Sequence, residues 1–206
     1  MGYEAALGKA WGDLAAASSE KEFFVRFFSD EYSVDVAGRK VLSLSWGTGK
    51  YIMSPKEPAV SSGRGPVFCN VSAKDFVSIL ILHYLQRKLS GLPALIGEWI
   101  SFKELESGEA YYPAFRKRAI EPVLKKLGNN PQGLFSGLNK GIVRKVNQAD
   151  AAAAVEAFAG VPILVEFWKG DDEFGPEANI LFDRNISGIF CTEDVAVLAG
   201  FVAKYV

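Results

Sequence analysis

The sequence predicts an α+β fold in which antiparallel hairpins pack on a central buried helix, with several further helices flanking it. Three observations predict it. Apolar residues recur at helical spacing near both ends of the chain and between Ser72 and Leu89. They alternate with period two in the runs 32–36 and 41–46, while the strand run 161–168 is largely apolar on both faces. The two patterns mix without the strand–helix–strand rhythm of a parallel sheet. The length of 206 residues suits one domain, so residues 1–206 are read as a single domain without internal repeats.

Taken in order, Tyr3, Ala6, Leu7, Ala10, Trp11 and Leu14 share one face and predict a helix over residues 3–17. A short helix is expected over Glu20–Phe28. Tyr32 to Val36 and Val41 to Trp46 form a hairpin about Gly38-Arg39. A stretch rich in Gly and Pro follows, with room for one strand at Val67–Val71. Ser72 and Asp75 give a start signal for a helix to Leu89, apolar almost all round and therefore the buried centre. Residues 90–110 have no sustained period yet carry Leu95, Ile96, Trp99, Ile100 and Phe102, an apolar loop of the kind that often serves function. A helix over Tyr112–Leu127 is expected to break before Pro122. Ala149–Phe158 reads as a helix, Val161–Trp168 and Asn179–Asp183 as strands. Thr192, followed by Glu193 and Asp194, caps the last helix.

Composition narrows the chemistry. With 23 basic and 24 acidic side chains the formal charge is -1, so no global field draws nucleic acid or an acidic membrane. The charge is nevertheless uneven: between Arg116 and Lys145 eight basic residues face Glu121 alone, while after Val146 ten acids outnumber Lys169, Arg184 and Lys204. The basic helix face, with apolar residues opposite, reads as a solvated surface without stacking aromatics, so no nucleic-acid partner is expected. Cys69, Cys191 and His83 are the only residues of their kinds, too few for an iron–sulfur cluster or a structural zinc. No resident cofactor is expected. The N-terminus has neither a basic nor an apolar signal region and no long apolar run exists, so no membrane association and a cytoplasmic location are expected.

Trp46-Gly47-Thr48-Gly49-Lys50 lacks the full phosphate-loop pattern, because position 44 is Leu and position 51 is Tyr, and it reads as a turn. His83, on an apolar helix, is expected to be mostly buried and bonded to the 97–104 loop. Cys191 is read as an inert buried thiol, because Glu193 and Asp194 oppose the helix-start effect on its ionisation. Two segments stand out as ligand-binding candidates. One places Glu98 beside Trp99 in the long loop. The other places Trp168 just before Asp171, Asp172 and Glu173 at a hairpin tip, where adjacent acids are either solvated or neutralised by a cation. The loop is expected to pack over the 161–168 strand, bringing Glu98 and Trp99 to Trp168 and the acidic tip as one aromatic-walled pocket.

At Tyr3 to Leu14, Leu82-His83-Tyr84-Leu85, GEWISFKELESGEAYYPAF (97–115) and WKGDDEFGPEANILFD (168–183) the chain resembles a bacterial and archaeal family, the domain of unknown function 3786. Some members are joined to a cysteine-rich iron–sulfur segment like that of corrinoid proteins from anaerobes. The resemblance therefore implies a setting near corrinoid or one-carbon metabolism, although this chain has no such segment. The expected function is a non-catalytic module binding a small molecule or a corrinoid/iron–sulfur protein partner. The alternative is a divalent-metal-dependent hydrolase built on Asp171, Asp172 and Glu173, with His83 as a further ligand.

Overall fold

The structure, a computed structural model, describes residues 3–44, 73–135 and 143–206. The Trp46–Lys50 turn, the Val67–Val71 strand, Ser72, Cys69 and Lys140 lie outside the described residues. Among the described residues, two antiparallel sheets and five α-helices make the fold α+β. The first sheet is a meander of β1 (Glu22–Phe27), β2 (Asp30–Asp35) and β3 (Lys40–Leu44). The second has the order β4-β8-β7-β6-β5, from β4 (Trp99–Ser101), β5 (Val143–Val146), β6 (Ala151–Phe158), β7 (Val161–Trp168) and β8 (Glu177–Asp183).

The hairpin expected between residues 32 and 46 thus gains a third strand, because Glu20–Phe28 is not a helix. Its burial alternates, with Phe23, Val25 and Phe27 inward and Phe24 66% exposed. The exposed Phe24 hides the period of two from the sequence. The second correction is Ala149–Phe158, whose residues from Ala151 on form β6 rather than a helix. Alanine favours helix intrinsically, but here both faces are covered, so no alternation shows, and pairing with β5 and β7 overrides propensity. Gly160, at φ +79°, forms with Ala159 the two-residue turn of the β6–β7 hairpin. β7 is buried on both faces as its sequence suggests.

The helices are α1 (Tyr3–Ala17), α2 (Ala73–Ser90), α3 (Gly108–Phe115), α4 (Glu121–Leu127) and α5 (Thr192–Tyr205). α2 buries Leu80, Ile81, Leu82, Tyr84 and Leu85 and packs against α1 and α5. α3 begins four residues earlier than expected, at Gly108, where only glycine fits because an added Cβ would lie 2.0 Å from the Phe102 carbonyl oxygen. Between α3 and α4 the chain widens into a π segment, Arg116–Ile120. The break expected before Pro122 is instead this π segment within a continuous helical run, because Pro122, in the first turn of α4, has no N–H to donate into the preceding turn. α5 lies against β6 and the π segment, and α4 against β8. Its N-cap position is Cys191, not Thr192, whose hydroxyl instead donates to the Glu106 carbonyl at 2.8 Å.

One contiguous apolar cluster runs through both sheets and all five helices. Phe27 links them, with ring centroids 4.6 Å from Phe28, 4.7 Å from Phe158 and 5.5 Å from Phe201. The Phe28 N–H donates to the Ala157 carbonyl and Arg26 pairs with Glu156, tying the meander to β6. Among the described residues no helix is long and apolar enough to cross a membrane.

Candidate functional site

The two segments expected to meet are held apart by β8. Trp99 pairs with Asp183 at one end of that strand and Trp168 with Glu177 at the other. Six residues of extended chain separate them, roughly 20 Å at about 3.3 Å per residue. β8 also lies between the 97–101 segment and β7, which the segment was expected to cover. Glu98, Trp99, Trp168, Asp171, Asp172 and Glu173 therefore form no single pocket.

Each segment has its own local anchoring. Glu98 receives two hydrogen bonds at 2.6 Å from the Arg184 guanidinium, whose bonding holds the Glu98 carboxyl below its usual range. The buried Asp183 accepts from the Ile96, Gly97 and Asn185 backbone N–H groups, and the Asn185 side chain donates to the Ala94 carbonyl. The apolar loop is thus pinned by β8 and the turn after it. At the tip, Asp171 Oδ1 accepts from the Phe174 and Glu173 N–H groups, which lower its carboxyl's proton affinity. Asn129 exchanges hydrogen bonds with Gly170 and fastens the base of that tip to the end of α4. Asp171 therefore shapes a turn, with Asp172 and Glu173 exposed beside it. Among the described residues no three His, Cys, Asp or Glu side chains converge as a metal site.

His83 does not reach the 97–104 loop. Its Nδ1 lies 2.7 Å from Asp194 Oδ2 in the first turn of α5, with the His83 side chain 28% exposed. The reason is the packing of α2 on the start of α5, which buries Asp194 and leaves it the nearest polar group. Asp194 also contacts Cys191, one turn back. Cys191 is exposed rather than buried as expected, yet its sulfur sits against the first turn of α5. Burial there, with the Asp194 charge second, pushes the thiol up to about 12. The order is thiol, carboxylate, imidazole, so the base does not face the thiol as nucleophilic catalysis requires.

Beside this group opens a cleft of about 590 Å³ between the last turn of α2, the start of α3 and the segment leading into α5. Arg87, Glu106, Ser107, Tyr111, Ser187 and Cys191 contribute polar groups to its lining, over Ile189 and Phe190. Sequence reasoning missed it because its walls come from segments about eighty residues apart; the one signal was His83 and Arg87 four positions apart, on one helix face.

The family model described as "Domain of unknown function (DUF3786)" matches residues 9–205. The chain belongs to that family. Both the cleft and the pinned loop fall inside the portion that the DUF3786 family model spans. Among curated proteins and among solved structures, no match to this DUF3786 chain was found.

Proposed function

We propose that this chain is a non-catalytic binding module whose small-molecule ligand occupies the α2–α3–α5 cleft, rather than the Trp99 loop or the acidic tip. The observation that carries the reading is the cleft itself. Its volume of about 590 Å³ suits a metabolite-sized molecule, and hydroxyl and charged groups converge on it over an apolar floor. The chemistry beside it favours binding over turnover: the thiol is held protonated, and the nearby imidazole is bonded to a carboxylate away from that thiol. Asp171, the first acid of the tip, is committed to its own turn, which weakens the metal-hydrolase alternative.

The family resemblance supports a corrinoid or iron–sulfur protein as the partner. A corrinoid with its nucleotide tail is far larger than this cleft, so that link would run through a protein surface and leave the cleft for a smaller molecule. Ala110, which lines the cleft and is exposed, offers the test. A metabolite screen by thermal shift should find a compound whose saturation stabilises the fold by about 2.7 kcal/mol at a hundred times its Kd. Ala110→Trp should abolish that shift while folding normally. Metal-dependent turnover, or stabilisation that survives Ala110→Trp, would sink the reading.

A further inference from the structure

The proposed cleft carries two opposite charges that leave each other unpaired. Arg87, in the last turn of α2, and Glu106, just before α3, both line it and are both exposed. Neither side chain forms an ion pair with a described residue. Elsewhere in the chain opposite charges brought within reach do pair, as Arg184 does with Glu98 and Glu104, and Arg26 with Glu156. The third charge of the lining, Glu193, is a second carboxylate, so the cleft holds one cationic and two anionic side chains. The Glu106 backbone is tied to the start of α5, since its carbonyl accepts from the Thr192 hydroxyl, and Ser107 after it holds φ +59°.

Resting on the reading of this cleft as the binding site, we propose that its ligand is a small zwitterion of amino-acid type. The anionic group lies on Arg87 and the cationic group on Glu106. A simple anion would face Glu106 and a simple cation would face Arg87, so each is penalised by the group it cannot satisfy. A molecule bearing both charges satisfies both walls at once. The Ser107, Tyr111 and Ser187 hydroxyls are placed to accept or donate to the rest of the ligand. About 590 Å³ leaves room for a side chain or a second residue.

Isothermal titration of the full chain with each of the free L-amino acids, and with the N-acetyl and amide derivatives of any that binds, tests this. At least one zwitterion should bind, and removing either its cation or its anion should weaken it about tenfold or more. Arg87→Gln should erase the preference for acid over amide while leaving amide affinity unchanged. Glu106→Gln should erase the preference for free amine over N-acetyl. Equal binding of the derivatives, unchanged preferences in the two variants, or no binding of any amino acid overturns the proposal. In that last case, a compound from the metabolite screen whose stabilisation Ala110→Trp removes leaves the cleft as the binding site. If no such compound is found, the cleft reading falls as well.

Discussion

Asp183 carries more of the loop's conformation than any other single side chain. It is 4% exposed and accepts three backbone N–H groups, so Asp183→Ala leaves three donors without their acceptor and should cost about 1–2 kcal/mol in urea denaturation. A loss under about 0.5 kcal/mol would contradict that role. Glu98 makes a pH prediction. Its carboxyl sits below its ordinary value of 4.5, chiefly through the Arg184 hydrogen bond, so its contribution is present above that value and lost as pH falls through the lower folded one. The difference in thermal midpoint between the wild type and Glu98→Gln should therefore shrink from about pH 6 to about pH 3, and it should be small throughout because the pair is exposed. A difference that widened on acidification would be the wrong sign. Cys191, with its thiol pushed up to about 12, should react with iodoacetamide near pH 8 at least about a hundredfold more slowly folded than unfolded, measured in a Cys69→Ser background. Rapid alkylation of the folded protein would refute the protonated thiol.

Strands β1 and β6 show which elements the sequence makes legible and which it hides. The β2–β3 hairpin, α1 and α5 can be read because one periodicity dominates each of them, and α2 and β7 because each is a continuous apolar run of helical or strand length between clear boundary signals. β1 hides because Phe24 points to water between the buried Phe23 and Val25, so its apolar residues look continuous. β6 hides because four successive alanines and a valine are buried on both faces, which removes alternation while composition favours helix. The strand assignment of β1 is testable by substitution. A helix would place Phe24, Phe27 and Phe28 on one face, whereas the strand puts Phe24 outside and Phe27 in the aromatic core. Phe24→Ser should change stability by less than about 0.5 kcal/mol and Phe27→Ala should cost about 3–5 kcal/mol. Equal losses at the two positions would restore the helix. The site residues were less legible than the elements. The acidic tip and the Trp99 loop are conspicuous in composition, but their separation is set by the β4–β8 and β7–β8 registers, which no local pattern encodes.

At the scale of the whole molecule, one apolar cluster joins the meander, the five-stranded sheet and the helices, and we propose that residues 1–206 fold as a single domain. Unfolding followed by tryptophan fluorescence and by far-ultraviolet circular dichroism should then give one coincident transition; two separated transitions would divide the chain. The same connectivity places the cleft where three elements distant in sequence meet, with α2 crossing from the core to its wall and α5 starting at its edge. The central claim is that this cleft, and not the acidic tip, is where the protein meets a small molecule. Amide chemical-shift mapping during titration with an equimolar mixture of the L-amino acids addresses it most directly. The account predicts shifts concentrated at Arg87, Ser107, Tyr111, Ser187 and Thr192, with the Asp171–Glu173 turn silent. Shifts centred on Trp168 and Asp171–Glu173, with the cleft amides unmoved, would contradict it.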